Sequence, residues 1–446
     1  MGHLDELSRE DLIGIILELK PQVDALTVRV AQLEAENAEL RGGLGGGASK
    51  PDWVKPNRAE RRAAERAKRK SSFARKRDIP TEFVEHAVDS CPDCGRPLVD
   101  GWVHSRRQVI ELPQTSVRVI EHVLIGRWCG VCHKRHVPKL DLSDQVVGNC
   151  RLGIRLMSVI ADMATSCRMP HRTIQRLLGA LYGLRISLGE ISEVLHKVAA
   201  CGKEAYEDML WEIRGSPVVN ADETGWREDG VNGYIWSFSN PEVRYLLRDQ
   251  SRASRVVTDT LGDEFRGVLV SDFYGAYNAY DGVKQRCWVH LLRDLKKLVD
   301  VHPDNESVAR WVGRVRLIYE QARGASTGDY TPIERCELRQ SFETRLLRLA
   351  KPYRDAKAAP QRILAKRIES FLGELFTFVE QDGVPSDNNA AERSVRPAVI
   401  ARKVSGGTRS SKGSNTRMTL LSLFGTWNLQ GKETITACAA LLTQTT

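Results

Sequence analysis

Three acidic side chains occupy positions from which they could share one site. Asp222 follows the apolar run VVNA and Asp272 follows the run GVLVS, and each run is typical of a buried strand that ends at the acid. Glu392 lies in SDNNAAERSVRP, which predicts a short helix that ends before Pro397. Carboxylates gathered in one cleft repel one another, and Mg²⁺ or Mn²⁺, which prefer oxygen ligands, would relieve that repulsion. The pattern is compatible with two-metal phosphoryl transfer, although an aspartate at a strand end is more often a turn former.

Four of the ten cysteines form two C-x-x-C pairs. Cys91 and Cys94 lie in CPDCG, Cys129 and Cys132 lie in WCGVC, and two alternating runs, RQVIEL and SVRVIEHVLIGRW, predict a strand pair between them. Two such turns brought together by a hairpin would complete a tetrahedral zinc site that folds the module rather than catalysing a reaction. A redox C-x-x-C or coincidence is the alternative interpretation. The other cysteines are scattered, as free thiols are in a reducing cytoplasm.

Lysine and arginine are concentrated in two stretches of a chain whose net charge is +9. Residues 50–78 hold twelve basic and four acidic side chains, and residues 393–417 hold seven basic and no acidic ones. Such stretches favour a polyanionic partner, because each neutralised phosphate releases a counterion, although a basic linker can simply be solvated. No apolar run is long enough for a membrane helix, and the N-terminus lacks a secretory signal. We therefore expect a cytoplasmic protein without a membrane partner.

A seven-residue leucine repeat begins near the N-terminus. It is typical of the apolar seam of a coiled coil, and the polar Asn37 within the seam favours a parallel pair of helices. The alternative is a single amphipathic helix that packs on its own chain. The repeated leucines are Leu12, Leu19, Leu26, Leu33 and Leu40.

The second third of the chain changes from helical to strand periodicity. Residues 149–200 have helical spacing, Pro170 suits a first helical turn, and Ser187 with Glu190 predicts a capping box. These short helices could be a helix-turn-helix DNA reader or a plain helical spacer. After Pro217 the runs VVNAD, YIWSF, VRYLL and GVLVSD predict strands, and residues 290–380 return to helical spacing.

Four strings, NADETGWR, LVSDFYGAY, QRCWVHLLRDL and SDNNAAERSVRPAVIARK, resemble the bacterial DDE transposases of the insertion-sequence sixty-six group. The resemblance implies a multidomain α/β chain with an RNase H-like catalytic core, interrupted by a helical insertion at about 295–385 and preceded by a coiled coil, a zinc ribbon and a helical DNA-binding module. It also implies that Asp222, Asp272 and Glu392 are the metal-binding triad. His290, three residues after Cys287, would lie near the scissile phosphate, unless the two form a buried structural pair. The predicted domains are a leucine zipper (1–42), a basic flexible linker (43–80), a zinc ribbon (81–145), the helical module (146–214) and the catalytic domain (215–446).

The predicted function is cleavage of the ends of a DNA element and their transfer into target DNA, with Mg²⁺ or Mn²⁺ at the triad and Zn²⁺ at the cysteines. Double-stranded DNA is the expected partner, with a homodimer or higher oligomer as the working form and accessory transposition proteins as further candidates. A zinc-ribbon DNA-binding regulator and an RNase H-like nuclease without strand transfer are the alternatives. The predicted DNA-binding residues are Arg393, Arg396, Arg402, Lys403, Arg409 and Lys412, to which the Gly/Ser-rich stretch Ser405–Arg417 adds Arg417.

Overall fold

The computed structural model describes residues 77–444. The predicted coiled coil at 1–42 and nearly all of the predicted basic linker at 43–80 lie outside these residues. The chain divides into two compact units at the bond between Glu111 and Leu112. In the range 77–444, no helix is both long enough and apolar enough to cross a membrane.

The strand pair predicted between the two cysteine pairs is wrong. Residues 101–126 form no strand, and the first ladder is a short antiparallel hairpin of β1 (Arg127–Cys129) and β2 (Lys134–His136). The physical reason is burial, because an alternating run forms a stable strand only where one face packs against something. Here the apolar side chains of Val109 and Val119 are 79% and 88% exposed.

Four helices follow the hairpin. The predicted capping box is confirmed, since Glu190 N–H donates to Ser187 Oγ (3.1 Å) and Ser187 N–H donates to the Glu190 carboxylate (2.9 Å). Pro170 lies at the N-cap, one position before the predicted first turn. The buried faces share one apolar core with the sheet that follows. The helices are α1 (Ile154–Thr165), α2 (His171–Tyr182), α3 (Leu188–Cys201) and α4 (Lys203–Arg214).

A five-stranded mixed sheet forms the centre of the C-terminal part. Its strands are β3 (Val218–Glu228), β4 (Val231–Ser239), β5 (Arg244–Asp249), β6 (Val268–Ser271) and β7 (Lys284–Arg286), with helix α5 (Arg255–Leu261) before β6. The order across the sheet is β5-β4-β3-β6-β7. Within it, β4 pairs antiparallel with both β3 and β5, whereas β6 pairs parallel to β3 and β7 parallel to β6. The four predicted runs are all strands, and β7 is an addition that the sequence did not predict.

Five helices lie between β7 and the segment that carries Glu392, in the range where the sequence predicts an insertion. They enclose a second apolar core around Trp288, Trp311, Phe342 and Phe376, which are all buried. The helices are α6 (Trp288–Val301), α7 (Glu306–Ala325), α8 (Pro332–Arg354), α9 (Arg362–Ser370) and α10 (Thr377–Glu380).

The helix that carries Glu392 is longer than predicted. Helix α11 (Asn389–Ser405) continues through Pro397 instead of ending before it. An internal proline costs ~3 kcal/mol, and the burial of Val395, Ala398 and Ala401 against the sheet offsets that cost. The sequence alone could not weigh this tertiary packing against the proline.

The Gly/Ser-rich stretch Ser405–Arg417 is mostly helical. The helix α12 (Ser411–Leu429) starts soon after the left-handed Gly406 (φ 73°), and α13 (Thr434–Gln444) follows it. Helix α12 covers the edge strand β5, where its hydroxyls accept backbone N–H groups: Leu246 N–H donates to Ser422 Oγ (2.9 Å) and Arg244 N–H donates to Thr426 Oγ1 (3.0 Å). This cover satisfies a strand edge that would otherwise be open to other chains.

Candidate active site

Asp222 and Asp272 occupy equivalent positions on neighbouring parallel strands. The parallel ladder of β3 and β6 ends at the pair Asn220 and Val270, and each acid lies two residues further along its own strand direction. Adjacent strands are about 4.8 Å apart, and residues in register point to the same face. Asp222 lies within β3, which extends beyond it to Glu228, whereas Asp272 directly follows β6. The two carboxylates therefore face one cleft.

Glu392 reaches the same cleft from the first turn of α11, and Asn388 fixes that turn to the sheet. The buried Asn388 side chain donates through Nδ2 to the Ala221 carbonyl (2.7 Å) and accepts from Asn220 Nδ2 (3.0 Å). Its backbone N–H donates to Cys287 Sγ (3.2 Å). The helix that carries Glu392 is thus tied to the residue directly before Asp222.

The electrostatic environment of Asp222 includes the other two acids. The pKa of Asp222 is raised to about 7, first by burial and then by the adjacent Glu223. The carboxylates of Asp272 and Glu392 raise the same pKa as well. A buried carboxylate whose ionisation is opposed by burial and by neighbouring carboxylates, as that of Asp222 is, would be stabilised by a cation.

His290 lies beside Glu392, in the first turn of α6. Its Nε2 is 3.7 Å from Glu392 Oε1, and its buried Nδ1 has no hydrogen-bond partner among residues 77–444. Cys287 plays a different part, because its buried thiol accepts the Asn388 N–H and burial raises its pKa. The two residues of the C-x-x-H pattern therefore separate into a structural thiol and an imidazole that faces the acids.

Arg286 supports the backbone at Asp272, and sequence reasoning missed it. Its fully buried guanidinium donates through Nη1 to the Asp272 carbonyl (2.8 Å) and to Ser271 Oγ (3.1 Å). The same side chain pairs through Nε with Glu374 (2.5 Å). The available signal was a charged residue between two apolar segments, in QRCWVH, where a cation is buried only if it is paired.

Glu223, next to Asp222, belongs to a separate group of side chains. Its carboxylate is 2% exposed and accepts from Arg252 Nε (3.0 Å) and from the Tyr277 hydroxyl. The guanidinium of Arg252 lies over the Tyr274 ring at 3.8 Å, and Tyr274 N–H donates to Asp272 Oδ1 (2.8 Å). This cluster links the turn after β6 to β3 and was also missed, because its members come from separate segments.

The basic side chains predicted to bind DNA differ in their surroundings. Arg393, Arg396, Lys403, Arg409 and Lys412 are exposed. Arg402 is half-buried and donates through Nη1 to the Gly225 carbonyl on β3, so it is engaged within the protein.

The cysteine pairs lie in tight turns. Backbone N–H groups of Asp93 and Cys94 lower the pKa of Cys91, and those of Cys132 and Val131 lower the pKa of Cys129. Amide hydrogen bonds to sulfur are what a thiolate ligand requires, so each turn fits a soft metal ion by its chemistry.

The carboxylate oxygens of Asp222, Asp272 and Glu392 are the kind of donor that a hard divalent cation prefers. Within residues 77–444, no group of three or more His, Cys, Asp or Glu side chains is arranged so that it could hold a metal ion.

A profile described as "Transposase IS66 family" matches residues 150–416, which is more than half of the chain, and the chain therefore belongs to this family. The resemblance noted in the sequence is confirmed, and membership implies DNA transposition and DNA binding in general terms.

Two proteins of Sinorhizobium fredii (strain NBRC 101917 / NGR234) are similar to the chain. Uncharacterized protein y4jO is 32% identical over 229 residues, which are 50% of this chain and 67% of that protein. Uncharacterized protein y4jD is 26% identical over 296 residues, which are 58% of this chain and 56% of that protein. The chain thus spans about half to two thirds of the length of these relatives.

Proposed function

We propose that the protein cleaves the ends of a DNA element and joins them to target DNA by metal-dependent phosphoryl transfer. The observation that supports the proposal is the environment of Asp222, whose pKa is raised to about 7 by burial and Glu223 first and by the carboxylates of Asp272 and Glu392 in addition. The strand order, with three antiparallel strands followed by two parallel ones, is that of an RNase H-like core and supports the same conclusion.

Each group in the cleft has a proposed role. Asp222, Asp272 and Glu392 would hold Mg²⁺ or Mn²⁺, which supplies activation of the attacking oxygen and stabilisation of the leaving oxygen. His290 would donate a hydrogen bond from Nε2 to a phosphate oxygen. Arg393 and Arg396 are exposed and three residues apart on α11, so they share a helix face that can hold the DNA backbone.

The reaction has two steps in one cleft. Water attacks the phosphodiester at the element end and releases a 3′-hydroxyl. That hydroxyl then attacks a phosphodiester of the target strand, so that one bond forms as another breaks and no other energy source is needed.

The test uses the full chain and duplexes made from the DNA that flanks its coding sequence. We expect Asp222→Asn, Asp272→Asn and Glu392→Gln to abolish nicking and joining with Mg²⁺ while DNA binding, measured by fluorescence anisotropy, is retained. The matched control is Asp281→Asn, the same chemical change at an exposed position outside the cleft. A triad variant that still cuts DNA would refute the role of that residue. Cutting without joining by the unmodified chain would indicate a nuclease, and binding without cutting would indicate a regulator.

We also propose that Cys91, Cys94, Cys129 and Cys132 hold Zn²⁺. The lowered pKa values of Cys91 and Cys129 support thiolate ligands. Elemental analysis of the purified chain should find one zinc ion per chain and less than half of that in Cys91→Ser and Cys129→Ser. Equal zinc content in the variants would refute this assignment.

The leucine repeat in 1–42 supports a dimer or a higher oligomer as the working form. Light scattering on the full chain and on Leu26→Lys tests this proposal, since a charge in an apolar seam should dissociate the oligomer. An unchanged mass would refute it. Accessory transposition proteins remain part of the proposal as further partners.

A further inference from the structure

A cavity of about 360 Å³ lies between the helical module and the end of α11. Its walls come from the turn between α1 and α2, one face of α3, the last turns of α11 and the first turns of α12. None of the three acids of the cleft lines it. A cavity of this volume is large enough for a phosphate with its attached sugar.

The lining of the cavity is cationic. Arg168, Arg409 and Arg417 line it, and no aspartate or glutamate does. Arg168 has a left-handed backbone (φ 58°), which is uncommon for a residue other than glycine. Arg417 makes one side-chain hydrogen bond in the described part of the chain, a 3.5 Å contact from Nη1 to the Ala164 carbonyl, and burial lowers its pKa. An arginine that is partly buried and has no carboxylate partner in the described part of the chain is a candidate for pairing with an anion.

Two histidines add donors to the same walls. His171 Nδ1 lies 3.4 Å from Ser192 Oγ, and His196 Nδ1 lies 2.7 Å from Thr416 Oγ1. Burial first, and nearby cations in addition, lower the pKa of both imidazoles.

Two helices begin at the cavity. Pro170 and His171 open α2, and Ser410 and Gly413 open α12, and all four residues line the walls. Each N-terminus carries partial positive charge and unpaired N–H groups. Two such ends, added to three arginines and no acid, form a site for a phosphate.

We propose that this cavity binds one backbone phosphate of the DNA strand whose end lies in the cleft, an inference that rests on the proposed transposase function. Helix α11 connects the two sites, since Glu392 lies in its first turn and Pro397 and Ser405 line the cavity. At 1.5 Å per residue, the cavity lies about 7 to 20 Å from Glu392 along the helix axis. That span corresponds to about two to six nucleotides of a duplex.

The experiment measures DNA binding by fluorescence anisotropy as a function of salt, with the full chain and the duplexes described above. Arg168→Ala and Arg409→Ala are both at exposed positions, so they should fold. Each should weaken binding about tenfold and reduce the slope of log K against log[salt] by about 0.9. Arg323→Ala, which removes an exposed arginine from α7, should change neither.

A second experiment identifies which backbone phosphate of the DNA binds in the cavity. Duplexes with a single neutral methylphosphonate, placed at each of the positions two to six nucleotides from the cut, should bind the unmodified chain weakly at one position. The variant that combines Arg168→Ala and Arg409→Ala should be insensitive to that substitution, because the partner of the phosphate is already gone.

The outcomes separate the two proposals. Variants that bind like Arg323→Ala, or a methylphosphonate effect that persists in the combined variant, would refute the cavity as a DNA phosphate site. Calorimetric binding of inorganic phosphate at constant ionic strength, with no methylphosphonate effect, would assign the cavity to a free anion and refute it as well. An unmodified chain that binds but never cuts would refute the transposase function and leave the cavity assignment to be decided by the same binding data.

Discussion

The replacement Asn388→Ala tests whether the junction between α11 and the sheet holds the cleft together. Asn388 is 1% exposed, and its amide bridges two groups of β3 that are themselves buried. Nδ2 donates to the Ala221 carbonyl at 2.7 Å and Oδ1 accepts from Asn220 Nδ2 at 3.0 Å. The backbone N–H of residue 388, which donates to Cys287 Sγ, is kept in the variant.

The expected cost follows from the two groups that lose their partner. A buried donor or acceptor left without a hydrogen bond costs about 1–3 kcal/mol, so the free energy of unfolding should fall by about 2–6 kcal/mol. That loss is a large part of the about 5–15 kcal/mol by which a typical domain is stable. Asn388→Asp should also destabilise, because it cannot donate to the Ala221 carbonyl and it brings a fourth carboxylate close to Asp222.

Urea unfolding followed by tryptophan fluorescence measures this change. Asn428→Ala is the matched control, because Asn428 is exposed and makes only a local hydrogen bond to the Phe424 carbonyl (2.8 Å). Asn220→Ala, alone and combined with Asn388→Ala, completes a cycle whose coupling energy should be about 0.5–3 kcal/mol. A loss in Asn388→Ala no greater than in the control, or a coupling near zero, would refute the bridge.

Three further predictions concern single side chains, Arg286, Ser422 and His171. Arg286→Leu should lower the free energy of unfolding by about 3–5 kcal/mol in urea, because it removes the buried guanidinium that pairs with Glu374 and donates to Asn278 Oδ1 (2.6 Å), and it leaves Glu374 only the longer ion pair with Lys284 (3.7 Å); a loss below 1 kcal/mol (roughly the value of an exposed pair) would contradict this. Ser422→Ala should cost about 1–3 kcal/mol and speed amide exchange at Leu246, whose N–H donates to the lost hydroxyl; unchanged exchange there would show that α12 does not protect the strand edge. Burial lowers the pKa of His171 below 6.5 in the folded protein, so its contribution to stability is complete above pH 6.5 and is lost as the pH falls through the folded pKa. The loss of stability between about pH 7.5 and about pH 5 should therefore be smaller in His171→Gln than in the unmodified chain, and equal losses would contradict the direction of that pKa shift.

The sequence predicted best the features that depend on neighbouring residues. The capping box of Ser187 and Glu190 needs only a spacing of three residues, and the structure contains both of its hydrogen bonds. The strands before Asp222 and Asp272 were predictable because buried parallel strands are continuous apolar runs. The position of each acid relative to its strand end followed directly, although β3 continues past Asp222 because β4 pairs with it as far as Glu228.

The wrong predictions all concern segments whose structure depends on packing partners far away in the sequence. The runs between the cysteine pairs alternate as strands do, but nothing in the described chain buries one face of them. Pro397 predicts a helix end, but the helix continues because Ala398 and Ala401 are buried. Helix α12 has no apolar stripe to recognise, because nearly all of its second half is buried, and periodicity identifies a helix only when one face is polar.

The sequence also did not predict the residues that hold the cleft together. They are far apart along the chain and meet only through the topology of the fold. The residues Asp272 and Glu392 are separated by five α-helices that share an apolar core with Val268 and Val270 of β6, so no local rule can place Glu392 beside the strands. Hydrogen bonds between residues far apart in the sequence hold this arrangement. Asn388 accepts from Asn220, 168 residues away, and its backbone N–H donates to Cys287, 101 residues away. The insertion contributes to the same assembly, because its Glu374 pairs with Arg286, which supports the backbone at Asp272. The tie made by Asn388 was equally hidden, since composition and periodicity cannot distinguish this buried asparagine from the asparagine that follows it.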